Sequence, residues 1–321
     1  MSVVVLLGAA IVLAAAVGLI LLVRELASRP SDRIDGEGEA DGLAARAYRR
    51  ARLRALLCLG AALAVLVGGM ALHSARPELL GLPLALAPGV AAATALLGFA
   101  VLPSAVEPSS GPVSAALTPR TAWSFGRRRA FALPATLAAA SLAFLGWAAL
   151  VADPDDQGRM RSFSITDGAT TASSGPFPGS FYGLPLAVVT VLLAGSTYLA
   201  LRRIASTAAL PVPLASVADR HWRTGSTRVV TQLATTALLG HLGGAAAFAG
   251  LAVRSAATTI SMNGGNASRM APTGTVLAVV GGALLVAGVG TAVLGVGNAL
   301  TLRSASSSRD VVSPLASAPR P

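Results

Sequence analysis

Residues able to carry chemistry are few in this 321-residue chain, and their spacing keeps them apart. The chain has three histidines, one cysteine and fourteen carboxylates. His241 is the one ionisable residue near the middle of an apolar stretch, ATTALLGHLGGAAAFAG, with Gln232 nine residues before it. A neutral imidazole there can hydrogen-bond to another helix, worth about 0.6 kcal/mol on average, or titrate near neutral pH as a switch. With no acid nearby in the sequence, the structural role is the expectation, and His241 with Gln232 forms a candidate intramembrane polar site. His73 and His221 stand at the ends of apolar runs, so the three histidines do not make a metal site. Cys58 is alone, which excludes an intrachain disulfide and a cysteine-based metal site. The GxG strings of AVVGGALLVAGVGTAVLGVGNAL lack the strand and the acidic residue of a dinucleotide motif. No nucleophile elbow, P-loop, zinc-binding helix or paired catalytic carboxylates occur. We expect no catalytic residue, no cofactor and no metal, hence a protein that is not an enzyme.

A second pattern recurs at a fixed offset. Residues 112–129 read PVSAALTPRTAWSFGRRR and residues 211–228 read PVPLASVADRHWRTGSTR. Shifted by 99 positions they share six identities, of which Trp123/Trp222, Gly126/Gly225 and Arg129/Arg228 are the rarest types. Each stretch runs into a long apolar segment, and Ala135/Ala234, Thr136/Thr235 and Ala138/Ala237 continue the match. Tyr48, Ala51 and Arg54 form a weaker third copy. Tryptophan at a membrane interface anchors a helix and arginine fixes its orientation. The alternative is that the two Trp/Gly/Arg loops dock a cytoplasmic partner.

The elements that position these residues follow from composition. Hydrophobic residues are 54% of the chain and charged residues 12%, about half the charge of an ordinary soluble domain; mean hydropathy is +0.68. About 20 apolar residues span a bilayer core as a helix. Such runs occur at about 2–23, 55–73, 81–102, 131–152, 183–202, 229–253 and 274–301. The expected fold is all-α: a seven-helix transmembrane bundle in one domain, 1–301, partly built from duplicated helical hairpins. A polar Ser/Pro-rich tail, 302–321, is expected to be disordered. Nothing basic precedes the first run and Arg24 follows it, which reads as an uncleaved helix rather than a signal peptide.

All 25 basic residues are arginine, and the net charge is +11. Twenty of them fall on the side holding 24–54, 103–130, 202–228 and the tail, and five on the other. That bias puts the N-terminus outside and the C-terminus in the cytoplasm. It also accounts for the basicity without nucleic acid. The arginines of AARAYRRARLR can reach anionic head groups at about 1 kcal/mol each. No acid lies well inside an apolar run, which argues against a proton- or sodium-coupled carrier.

On the outer side, GPFPGSFYG at 175–183 is the most distinctive string. Phe177, Phe181 and Tyr182 are expected to form an aromatic shelf, as an interfacial anchor or a ligand surface. This string and the basic Trp/Gly/Arg loops together resemble uncharacterised multi-pass membrane proteins of actinobacteria. The resemblance lies in loops and topology; it implies a bacterial plasma-membrane protein and no particular activity. The expected role is a non-catalytic permease-like or accessory component acting with a cytoplasmic partner or a second copy. The alternative is a sensor whose outer loops bind a ligand. A membrane-embedded enzyme ranks third.

Overall fold

The computed structural model describes residues 39–102, 120–168, 170–207, 216–263 and 270–300. The expected first helix at 2–23 and the tail at 302–321 lie outside the described residues. The described part is mostly helical: α1 (Glu39–Ala75), α2 (Leu82–Val101), α3 (Arg128–Val151), α4 (Ser180–Ser206), α5 (Ser216–Met262) and α6 (Met270–Leu300). Each of these six contains a stretch long and apolar enough to cross a membrane. Their Ala- and Leu-rich sequences lose little side-chain freedom on becoming helical.

Helix α2 packs on α1 and α4, and α5 meets α2, α3, α4 and α6. The main core joins five of the helices through Ala92, Leu96, Phe99, Leu193, Leu201, Val230 and Leu238, with Cys58 and Phe131 at its margins. Helix α6 lies against α5 along a seam of glycines. A β-carbon on Gly281 would stand 2.6 Å from the Gly243 carbonyl oxygen, and one on Gly274 would stand 2.8 Å from that of Gly250. Two glycines seven residues apart on each helix therefore let two antiparallel backbones touch. Hydrogen bonds extend the seam: Thr236 to Thr291 at 2.9 Å and Asn298 Nδ2 to Gln232 Oε1 at 2.9 Å.

Two features depart from the sequence-based expectation. First, the fold is not purely helical. Residues expected as an outer loop form an antiparallel sheet of β1 (Asp153–Pro154), β2 (Met160–Asp167) and β3 (Thr170–Ser174), in that order. Asp167 pairs with Thr170 and Phe163 with Ser174. Gly168 takes φ +59°, which suits the tight turn. The sheet rests on the end of α5, where Ile165 and Ala172 pack on Ala257 and Ile260. Second, α5 begins at Ser216, well before its apolar run, so the second copy of the repeated stretch is helical from that residue on. The first copy, over 120–127, is a turn leading into α3.

Candidate functional site

Helix α4 ends at Ser206, and its last carbonyl groups have no partner within the helix. Arg223 of α5 meets them. Its Nη1 donates to the Ile204 carbonyl and its Nη2 to the Thr207 carbonyl at 2.8 Å. Its Nε donates to Asp219 Oδ2, also at 2.8 Å. Asp219 sits one helical turn earlier, the spacing at which opposite charges meet on a helix face. The guanidinium also faces the rings of Phe125 and Trp222, 5.2 and 5.4 Å from their centroids. Arg223 is fully buried. One planar cation thus joins the end of α4, the first turns of α5 and the 120–127 turn.

That turn is shaped by its own residues. Thr121 N–H donates to Ser124 Oγ at 2.9 Å, and Ser124 N–H to the Thr121 carbonyl at 3.0 Å. Gly126 leaves the space that the Phe131 ring fills; a β-carbon there would overlap it. The Trp123 indole stands edge-on to Phe131 at 5.0 Å and tilted to Tyr198 at 6.5 Å, yet it remains 53% exposed. Beside it opens a pocket of about 380 Å³ lined in part by Arg120, Trp123, Tyr198 and Arg202. Two arginines and two aromatic rings around one pocket suit an anionic group on a partner or a lipid.

The repeated residues part company here. Trp222, the counterpart of Trp123, is buried at 6% exposure, and its indole N–H has no partner among the described residues. Arg129 and Arg228 are both exposed, and Gly126 and Gly225 are half-buried, Gly126 in the turn and Gly225 within α5. Only the first copy presents its tryptophan to the surroundings.

His241 and Gln232 are not brought together. Nine residues on a helix make two and a half turns, which puts the two on opposite faces. Gln232 faces α6, where it accepts from Asn298. His241 faces α2 and α4, against Gly89 and close to Val189. It is buried at 4% exposure, and neither ring nitrogen has a hydrogen-bond partner among the described residues.

The aromatic shelf is also revised. Phe177 is fully buried, packed among Ala148, Ala249 and Val253 and against the rings of Trp147 and Phe163. Tyr182 is buried too, and its hydroxyl donates to the Leu80 carbonyl at 2.7 Å. Only Phe181 is partly open. The string is an internal plug holding the sheet to the bundle, because β2 folds over it: Phe177 N–H donates to the Arg161 carbonyl at 2.8 Å.

In the turn between β1 and β2, Asp155 gathers donors. Its carboxylate accepts from the Gln157 and Arg159 backbone N–H groups at 2.9 Å each, and from the side chains of Arg159 and Arg161. Burial acts to raise its pKa, but the bonds from Arg161, Arg159 and Gln157 outweigh it and hold the carboxyl well below the usual carboxylate range. Among the described residues, no group of three His, Cys, Asp or Glu side chains is arranged to hold a metal.

Sequence reasoning missed the burial of Arg54 and Arg223. For Arg223 a signal existed, the i, i+4 pair with Asp219, but it lay in a stretch read as a loop. Residues 41–106, which cover most of α1 and all of α2, match a family of unknown function, DUF7521. No curated protein and no solved structure matches the chain.

Proposed function

We propose that the chain is a non-catalytic integral membrane protein of the bacterial plasma membrane, a permease-like or accessory component that works with a cytoplasmic partner. It crosses seven times, with the apolar run at 2–23 as the first span and the N-terminus outside. The arginine bias supports this orientation. The hairpins α2–α3 and α4–α5 are copies of one unit, as the Trp, Gly and Arg identities at a constant offset suggest.

One observation carries the partner reading. Trp123 is an exposed aromatic on a turn braced from behind by Arg223, with Arg120 and Arg202 beside it. Tryptophan and arginine dominate binding hot spots, and a turn already held in place loses little freedom on docking. The test is affinity purification of the tagged protein from its native membrane in mild detergent, with and without Trp123→Ala. A stoichiometric partner lost in the variant, at unchanged expression and melting temperature, supports the reading. A partner that stays bound, or none in the unaltered protein, overturns it. Topology is tested separately by labelling Asp156→Cys and Arg127→Cys on a Cys58→Ser background. Labelling from outside at 127, and not at 156, would reverse the orientation.

The sensor reading keeps one observation in its favour: residues 153–174 are a folded sheet packed on α5 rather than a loose loop. A regulator would lose its response when the sheet is altered, with the Trp123 variant unaffected.

A further inference from the structure

Arg54 points into the bundle at the basic end, one turn before Cys58 on α1. It is only 5% exposed. Its guanidinium carbon stands 4.2 Å from the centroid of the Phe99 ring on α2, which fixes its direction. Its Nε and Nη2 are buried without a hydrogen-bond partner among the described residues. Arg203 of α4 stands between Leu201 and Ile204, which share one apolar cluster with Cys58 and Phe99, and its Nε is likewise buried, with no partner among the described residues. No carboxylate among the described residues pairs with either arginine; Asp219, the acid in the first turns of α5, is engaged by Arg223.

Two like charges side by side, Arg54 buried and Arg203 half-buried, with donors unused among the described residues, are costly unless an anion joins them. The guanidinium fork matches the oxygens of a tetrahedral oxyanion. We propose that Arg54 and Arg203, backed by Phe99, form a binding site for a phosphate-class oxyanion between α1, α2 and α4. The site is separate from the Trp123 pocket, which Arg120 and Arg202 line. The phosphate has two sources of the same chemistry: the head group of an anionic phospholipid, or free inorganic phosphate. The lipid source suits the neighbourhood, because Leu53 and Leu57 beside Arg54 are exposed apolar side chains, and anionic head groups concentrate at the basic end.

The test uses the full-length protein in nanodiscs and reads its melting temperature. Three conditions are compared: phosphatidylcholine alone, phosphatidylcholine with added phosphatidylglycerol, and phosphatidylcholine with inorganic phosphate titrated against chloride at equal ionic strength. Stabilisation by phosphatidylglycerol alone identifies the lipid head group; stabilisation by inorganic phosphate identifies the free ion. In either case Arg54→Gln and Arg203→Gln each abolish the shift, while Arg120→Gln retains it. Where Arg54→Gln does not fold, Arg54→Lys keeps the cation without the fork, and a reduced shift is expected. No shift in any condition, or one that survives both substitutions, overturns the proposal.

Discussion

The imidazole of His241 occupies the space where residue 89 would carry a side chain. A β-carbon on Gly89 would collide with the His241 Cε1 and Nε2 atoms and with Val189. The close passage of α2, α4 and α5 thus depends on a glycine facing a histidine. Gly89→Leu should destabilise the bundle by about 1–3 kcal/mol, the usual cost of overpacking. Adding His241→Ala to that variant should recover part of the loss. Thermal unfolding in detergent measures both, and a Gly89→Leu protein as stable as the parent would show that the helices are not in contact there.

Arg223 should be the most sensitive charged residue. Removing one partner of a buried ion pair typically costs about 3–5 kcal/mol, so Arg223→Ala should lower folded yield and melting temperature sharply. Arg223→Lys keeps the charge but loses the fork that reaches Asp219 and two carbonyls at once, so it should rescue only in part. Full rescue by lysine would mean that charge alone holds the end of α4.

The glycine seam separates two neighbours cleanly. Gly281→Leu places a side chain into the α5 backbone and should cost about 1–3 kcal/mol. Gly282→Leu, one position on, meets nothing within contact distance and should be near neutral. Equal losses in the two variants, read by chemical denaturation in detergent, would place the seam elsewhere.

The sheet at 153–174 should be sensitive to acid. The folded-state pKa of Asp155 is depressed, so its contribution is complete above the unfolded value of about 3.9. It is lost as pH falls through the folded value. Amide protection over residues 153–174, with the intrinsic pH dependence of exchange divided out, should be unchanged from neutral to mildly acidic pH and should fall only below the ordinary carboxylate range. Asp155→Asn should exchange faster already at neutral pH. An unchanged rate in that variant would remove the carboxylate from any part in holding the sheet.

Much of the fold was legible because about 20 apolar residues in a row leave few options, and six of the expected spans appear as helices over the described residues. The small residues of the last two helices are likewise legible as a close-packing signal. The sheet was legible in principle but was passed over. Asp167-Gly168 is a hairpin turn signal, and Phe163 and Ile165 alternate with Ser162, Ser164 and Thr166. The opposite facing of His241 and Gln232 also followed from helical geometry alone. What no local pattern could reveal was burial: Trp123 and Trp222 are equivalent in sequence, yet one is open and the other enclosed. Their fates depend on whether the preceding chain turns or stays helical. The same holds for Phe177, which needs a strand from elsewhere to cover it.

Helix α5 has one further consequence. It is 47 residues long, roughly 70 Å at the standard rise, and no proline interrupts it. Its far end carries the sheet through Ala257 and Ile260, and its near end holds Arg223 and the loop behind Trp123. The helix is therefore a single strut between the two faces of the protein. A push along its axis at the sheet arrives at the arginine without any intervening joint, and the two ends cannot slide independently unless the helix itself breaks.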